Sequence, residues 1–170
     1  MVTEHIKQRT PVLSLQAVWD ALAQVHDPEL PDLSIVDLGM VSEIKVNDNR
    51  VQVKIIPTYT ACPATALIQL NVAEQLRGLG FAEVEVLRDS QTPWSSNRIS
   101  ESGRKKLQAL GLAPPPQFDS PWTEQTLGQA TCPFCGSNDT HLHSLFGTTL
   151  CRSTHFCTGC GQLFERFKPL

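Results

Sequence analysis

Residues 132–136 read CPFCG and residues 157–161 read CTGCG, so two matching CxxC pairs lie near the end of the chain. Two residues between paired cysteines let the backbone turn until both sulfurs face one ion, and the following glycine accommodates the tight turn. Zinc prefers four thiolates in a tetrahedron, and so short a segment has too little core to fold without it. The predicted ligands of one structural zinc ion are Cys132, Cys135, Cys157 and Cys160.

The spacing between the two pairs slightly exceeds the usual range of about 15–20 residues. A two-stranded excursion, Leu142 to Phe146 and Thr148 to Arg152, is predicted to fill it. Rubredoxin-like iron and a redox dithiol are the alternatives to zinc. Cys151 is interpreted as a core residue of the ribbon or a neighbour of the zinc ligands, rather than a fifth ligand. The nearby histidines are interpreted as surface polar residues: His141, His143 and His155.

Composition restricts the classes of protein to consider. Of the 170 residues, 41% are hydrophobic and 18% are charged, which is typical of a globular chain. A net charge of −3 counts against non-specific nucleic-acid binding. No apolar run approaches the roughly 20 residues of a membrane helix, and the N-terminus lacks a signal-peptide pattern. The chain is expected to be cytoplasmic, where paired cysteines more often bind metal than form disulfides.

Hydrophobic periodicity predicts an α+β domain before the ribbon. The pattern is helix–strand–strand–helix–strand–helix, with Ser14 as the first N-cap and a third helix over residues 100–110. Pro114 to Pro116 and Pro121 indicate a linker that joins neither core. The predicted organisation is an N-terminal arm (1–13), an α+β domain (14–112), a proline-rich linker (113–130) and a zinc ribbon (131–170).

Two features of the first domain carry candidate chemistry. Cys62 is predicted at the N-cap of the second helix, where the positive helix terminus favours thiolate. The alternative is a small buried hydrophobe. The stretch His26–Pro31 presents two carboxylates on a loop stiffened by proline, which suits oxygen ligation of a metal. The alternative is a helix stop with solvated acids.

The stretches HDPELP (26–31) and IVDLGMV (35–41), followed by the proline-flanked Cys62, resemble the MIP18 (DUF59) family of iron–sulfur assembly domains. Joined to a ribbon that contains FGTTLC (146–151), the whole chain is similar to the D-type subunit family of phenylacetyl-CoA epoxidases. This resemblance implies a MIP18-like fold and an accessory, non-catalytic factor for aerobic phenylacetate breakdown.

The resemblance also implies a cargo, a site and a partner. Asp27, Glu29 and Cys62 become a transient site for iron or an iron–sulfur cluster, with Asp37 and Thr58 in support. Residues 94–97 are given a packing role. The client would be a component of the multicomponent monooxygenase, most plausibly its iron–sulfur reductase. One thiolate cannot hold a cluster alone, so a homodimer that shares two Cys62 thiolates, or a site completed by Asp27 or the client, is required.

Three other functions are weighed against this one. The first is an interaction scaffold for the same complex, in which Cys62 only packs. The second is an enzyme that uses Cys62 as a nucleophile, which needs a partnered base and leaves His26 as the candidate. Nucleic-acid binding through the ribbon is the least favoured.

Overall fold

A computed structural model of the chain describes residues 14–117, 123 and 127–169. The predicted arm, residues 1–13, lies outside the described residues, as do parts of the predicted linker. The elements of the first domain are α1 (Leu15–Leu22), β1 (His26–Asp27), β2 (Leu30–Ser34), β3 (Val41–Asn47), β4 (Arg50–Ile55), α2 (Thr65–Gly78), β5 (Glu83–Arg88), a 3-10 turn (Ser96–Arg98), α3 (Glu101–Ala109) and β6 (Leu112–Ala113). The ribbon contributes β7 (Thr140–Ser144), β8 (Arg152–Cys157) and β9 (Leu163–Phe167). Within these described ranges no helix is both long and apolar enough to cross a membrane.

The first domain is built on a three-stranded sheet with the order β3-β4-β5. β3 and β4 form an antiparallel hairpin, whereas β4 and β5 are parallel and α2 connects them. Val51, Val53 and Ile55 alternate along β4 and are fully buried, and Ile68 and Val72 of α2 share their core. The alternation of apolar residues that predicted these strands therefore reflects one buried face.

The first and third helices begin where serine caps predict them. Ser14 Oγ accepts the N–H of Ala17 at 3.1 Å, and Ser100 Oγ accepts the N–H of Gly103 at 2.9 Å. Such bonds satisfy amides that the first turn of a helix leaves without partners. The third helix spans Glu101–Ala109, which agrees with the prediction.

The second helix begins later than predicted, at Thr65 rather than at the step from Cys62 to Pro63. The Cys62 carbonyl accepts the hydroxyl of Thr65 at 2.9 Å, and the Cys62 N–H donates to the carbonyl of Tyr59 at 3.0 Å. These bonds form turns that precede the helix, and Ala64 is the N-cap. The prediction that Cys62 caps this helix is wrong.

A short hairpin replaces the extended loop that was predicted after the first helix. β1 and β2 are antiparallel, with Asp27 opposite Leu30 and His26 opposite Ser34. Asp27 Oδ1 accepts the N–H of Glu29 at 2.8 Å, a turn that aspartate side chains readily form. The hairpin therefore fixes the two acidic residues in one turn.

The ribbon is a four-stranded sheet with the order β6-β9-β8-β7. Its edge strand β6 comes from the first domain, where Leu112 and Ala113 pair in parallel with Glu165 and Arg166. The predicted second strand of the excursion, Thr148 to Arg152, is wrong, because β8 begins only at Arg152. The preceding residues form a turn in which the Arg152 N–H donates to the Thr149 carbonyl at 3.1 Å.

The ribbon packs against the first domain. Phe167 and Cys151 are buried in the core of the first domain, and the Phe167 ring lies 5.7 Å from that of Trp94. The ribbon also has a small core of its own, formed by Ala113, Cys132, Cys157 and Phe164. The packing role predicted for residues 94–97 fits this position of Trp94.

The proline-rich segment begins inside this assembly. Ala113 and Pro115 are buried, and the side chain of Arg104 donates to the Pro115 carbonyl. The prediction that the segment joins neither core is therefore wrong at its start. Proline lacks an N–H, but its ring and carbonyl are free to be packed and hydrogen bonded.

Candidate functional site

The cysteines of the two CxxC pairs form a compact cluster in which all four sulfurs lie within 4.8 Å of one another. The sulfurs of Cys132 and Cys160 are 3.7 Å apart, and those of Cys135 and Cys157 are 3.5 Å apart. Four sulfurs at about 2.3 Å from one ion lie about 3.8 Å apart in a tetrahedron. The cluster thus has the dimensions of a tetrathiolate site, and it binds a metal ion.

The backbone of each CxxC pair explains the glycine that follows it. Gly136 and Gly161 adopt φ values of 74° and 71°, a region that side chains disfavour. Each glycine N–H donates to the carbonyl of the first cysteine of its pair, Cys132 or Cys157, at 2.9 Å. The two tight turns bring both sulfurs of each pair to the same side.

Crowding also shapes the acidity of the thiols. Although burial opposes ionisation, hydrogen bonds from the Cys160 amide and from neighbouring thiols lower the pKa of Cys157 to about 7. The Gln162 amide favours Cys160 thiolate, but burial and the surrounding thiols raise the pKa of Cys160 to about 12. The sulfurs compete for protons, and a bound cation would end that competition because thiolate is the form that binds metal.

The histidines of the ribbon are not part of this cluster. His141 and His143 are exposed, as predicted. His155 is fully buried, which contradicts the surface position predicted for it. Its ring stacks on Phe164 at 5.6 Å, and Nε2 lies 3.1 Å from the hydroxyl of Ser153. Burial and the nearby charges of Arg166 and His141 lower the pKa of His155 to about 4, so the ring is neutral near pH 7.

The acidic hairpin holds one buried and one exposed carboxylate. Asp27 is 6% exposed, whereas Glu29 is exposed at the tip of the turn. Burial raises the pKa of Asp27, although the amides of Glu29 and Leu30 and the charge of Arg152 act in the opposite direction. Among the described residues, no basic group lies within ion-pairing distance of Asp27. Buried carboxylates are usually paired with a cation or coordinate a metal.

Cys62 is half-buried in the loop between β4 and α2. Burial raises the pKa of its thiol, and the negative charges of Asp27 and Glu29 raise it further. The Ala64 amide and the Thr65 hydroxyl act in the opposite direction but do not prevail. The prediction that the helix terminus makes this cysteine a ready thiolate is therefore wrong. The nearby carboxylates favour a cation at the sulfur rather than a free thiolate.

The structure places the predicted ligands near one another without closing them into a cage. Asp27 and Glu29 act electrostatically on Cys62, yet the described residues contain a tight cluster of three or more potential ligands only in the ribbon. His26 is exposed, and no hydrogen bond of the described residues joins it to Cys62. The arrangement is more open than the tetrathiolate site, and none of its described contacts pairs a base with the thiol.

The two residues proposed as support occupy different positions. Asp37 is buried and accepts hydrogen bonds from the Ser34 hydroxyl at 3.0 Å and from Lys106 at 2.6 Å. Burial opposes its ionisation, but the bonds from Lys106 and Ser34 prevail and lower its pKa. Ser34 pairs with His26, so Asp37 holds the acidic hairpin from its open end. Thr58 is buried in the loop that carries Cys62.

Sequence reasoning missed Arg152. Its guanidinium is buried, forms a 3.0 Å ion pair with Glu165 and donates to the backbone carbonyl of Glu29 at 3.1 Å. It therefore links the ribbon to the acidic hairpin across 123 residues of sequence. No local pattern signals such a contact, because neither the spacing nor the composition around Arg152 differs from that of an exposed strand residue.

Comparisons with known proteins agree with this architecture. Residues 15–87 match the family described as "Iron-sulfur cluster assembly protein", and residues 118–168 match the "PaaD zinc beta ribbon domain". A protein of Escherichia coli (strain K12), named as the putative D-type subunit of 1,2-phenylacetyl-CoA epoxidase, is 32% identical over 151 residues. The matched region covers 89% of this chain and 90% of that protein.

Two solved structures share the fold of the first domain. A DUF59 domain from Bacillus anthracis is 28% identical with a TM-score of 0.51, covering 54% of this chain and 89% of that one. A conserved hypothetical protein from Thermotoga maritima is 31% identical with a TM-score of 0.51, covering 58% and 97% respectively. The predicted fold class, a MIP18-like α+β domain with a C-terminal zinc ribbon, is confirmed.

Proposed function

Because the chain belongs to the D-type subunit family of phenylacetyl-CoA epoxidases, we propose that it is an accessory maturation factor for that monooxygenase complex. In this role it has no catalytic site of its own and acts in the cytoplasm. It helps to assemble an iron or iron–sulfur centre in another component of the complex. The iron–sulfur reductase is the proposed client, since it is the component that holds a cluster.

The observation that carries the proposal is the proximity of Cys62 to a buried carboxylate that has no ion-pairing partner among the described residues. Asp27 is 6% exposed, and its charge, together with that of Glu29, raises the pKa of Cys62. Two like charges and an ionisable thiol disfavour one another in a half-buried site. A bound cation reverses this, because it attracts both carboxylates and stabilises the thiolate.

The donor set suits iron as a cargo. Carboxylate oxygens and a thiolate together are compatible with iron. Glu29 is exposed at the hairpin tip, where it can meet the metal first, while Asp27 holds a fixed position through its bond to the Glu29 amide. An open site with few ligands releases metal more readily than a complete one. Release is what transfer to a client requires.

The ribbon has a structural role in this proposal. We assign zinc to Cys132, Cys135, Cys157 and Cys160, since the sulfur spacing fits zinc and all four positions are protein ligands. Zinc there supplies a crosslink that the small ribbon core needs in order to fold. The ribbon in turn holds the acidic hairpin through Arg152.

A scaffold role is the second candidate. The ribbon exposes large apolar side chains, among them Phe146 at 68% and Phe134 at 58% of their surface. Exposed aromatic residues are common at protein interfaces. In this alternative the chain holds components of the complex together, and Cys62 only packs against the core.

The test is to produce the epoxidase components with the wild-type chain or with a variant, and to measure the iron and sulfide of the reductase after anaerobic purification. Cys62→Ala is expected to lower reductase iron several-fold. The exposed neighbour gives the control, Ala61→Ser, which should leave the iron content unchanged. A fully loaded reductase beside Cys62→Ala would contradict the maturation role, and an intact complex in that case would support the scaffold.

A further inference from the structure

Cys151 lies in an unexpected position for a cysteine of the ribbon. Although it belongs to the turn that precedes β8, it is 8% exposed and packs in the core of the first domain rather than in the ribbon core. The zinc ligands Cys132 and Cys157 are in the other core. Cys151 is therefore neither a core residue of the ribbon nor a member of the four-sulfur cluster.

The position of Cys151 brings its thiol to the acidic hairpin. The neighbouring residue, Arg152, donates to the Glu29 carbonyl at 3.1 Å, which fixes this part of the ribbon on the hairpin turn. Glu29 and Asp27 both act electrostatically on the Cys151 thiol, as they do on Cys62. Two thiols from distant parts of the sequence thus share the same pair of carboxylates.

The surroundings of Cys151 are equipped to stabilise a thiolate. The Thr149 hydroxyl lies 3.1 Å from its sulfur and can donate a hydrogen bond. Burial raises the pKa of Cys151, but Thr149 and the charge of Arg152 act against this increase. The backbone also holds the residue in place, because its carbonyl accepts the N–H of Lys168 at 2.9 Å. The sulfur is held in a polar environment that an inert core residue would not need.

We propose that Cys151 is a second sulfur ligand of the transfer site, so that iron or a small iron–sulfur cluster is held by Cys62 and Cys151 together with Asp27 and Glu29. This inference rests on the proposed function and adds a ligand to its site. Each domain contributes one sulfur, and the chain needs no second copy to supply a second thiolate. Docking of the ribbon is then part of the construction of the metal site.

The site completed in this way has two sulfur and two oxygen donors. Such a set binds iron more firmly than one thiolate, yet it has fewer sulfur ligands than the four cysteines of a permanent cluster. The ribbon zinc site, with four sulfurs and no carboxylate, selects a different ion. One chain can therefore hold a permanent zinc and a transferable iron at separate sites.

The test uses the full-length, zinc-loaded chain titrated with cobalt(II) without oxygen, because sulfur-to-cobalt charge transfer reports thiolate ligands. The double variant Cys62→Ser/Cys151→Ser measures any cobalt that exchanges into the ribbon, and its absorbance is subtracted. At saturation, Cys62→Ser and Cys151→Ser should each retain about half of the wild-type band. Leu150→Ala, at the exposed neighbouring position, should retain the whole band.

A further variant separates ligation from packing. Phe167→Leu loosens the contact with Trp94 but keeps both sulfurs, so it should retain the full band at saturating cobalt. An unchanged band in Cys151→Ser, together with its loss in Cys62→Ser, would overturn the inference and leave the proposed function intact. A wild-type band no larger than that of the double variant would contradict both.

Discussion

At the scale of single residues, the candidate site depends on how Asp27 acts on Cys62. Both groups are removed from solvent to a large extent, and burial is the main reason that the pKa of each is raised. The carboxylate then raises the pKa of the thiol further. The free protein therefore holds Cys62 mainly as thiol at neutral pH, and the thiolate forms when metal arrives.

Asp27→Asn should have two opposite effects on Cys62. Asparagine keeps an oxygen that can accept the Glu29 N–H but removes the negative charge, so the pKa of the thiol should fall and alkylation should begin at lower pH. Iron affinity should fall as well, since an oxygen ligand loses its charge. The measurement is the pH profile of alkylation, beside an iron titration.

The control for this variant is Asp32→Asn, at an exposed position of β2. It should change neither the profile nor the affinity. An alkylation profile of Asp27→Asn that coincides with that of the wild type would show that Asp27 does not act on Cys62.

The residue types of the site could be predicted from the sequence, but their state could not. The stretch HDPELP and the proline-flanked Cys62 pointed to the correct loop and thiol. The direction of the thiol pKa was predicted wrongly, because it depends on the actual start of α2 and on carboxylates brought close only by the fold. A difference of three residues in the start of a helix was enough to change the sign.

At the scale of elements, Gly39 joins the acidic hairpin region to the 3-10 turn. Its φ is 62°, and a Cβ at this position would collide with the backbone of Arg98. The Arg98 side chain donates to the carbonyls of Gly39 at 2.8 Å and Val41 at 2.9 Å. The close approach of two backbones therefore requires glycine here.

Gly39→Ala is expected to lower the free energy of unfolding by at least about 2 kcal/mol, since it adds both backbone strain and a steric clash. Gly78→Ala is the matched control. It lies in α2 with no atom within 4 Å of the added carbon, so it should raise stability by about 0.5 kcal/mol. Urea unfolding measures both. Equal stabilities would contradict the close contact between Gly39 and Arg98.

Elements with strong periodicity could be predicted, and irregular ones could not. β4 and the three helices have apolar residues at regular spacing, and each was found. The β1–β2 hairpin has an irregular register and carries Pro31, so no alternation marked it as a strand pair. The turn over residues 148–151 depends on Glu165, whose carboxylate accepts the Thr148 N–H, and a local pattern cannot contain that contact.

At the scale of the whole molecule, the ribbon is docked by a buried polar contact and an aromatic one. The side chains of Arg152 and Glu165 are only 10% and 19% exposed, and they form one ion pair. Arg152 also reaches the Glu29 carbonyl, while Phe167 packs on Trp94. A two-domain organisation could be predicted from the cysteine pairs and the prolines, but the docking joins residues too distant in sequence to be inferred.

Arg152→Met should destabilise the chain by about 3 kcal/mol, because it leaves Glu165 buried without its partner and frees the Glu29 carbonyl. Arg50→Met is the control, since its pairs with Glu83 and Glu85 are long and exposed, and its cost should be below about 1 kcal/mol. Denaturant unfolding measures both, and hydrogen exchange at the Glu29 hairpin should increase only in Arg152→Met. Similar losses in the two variants would contradict docking through Arg152.

The most direct measurement is the metal content of the purified chain after anaerobic incubation with ferrous iron and desalting, for the wild type and for Cys62→Ala. Zinc should be about one per chain in both, because the ribbon ligands are unchanged. Iron should remain with the wild type and be absent from the variant. Equal iron in the two proteins, or none in the wild type, would contradict a transfer site at Cys62.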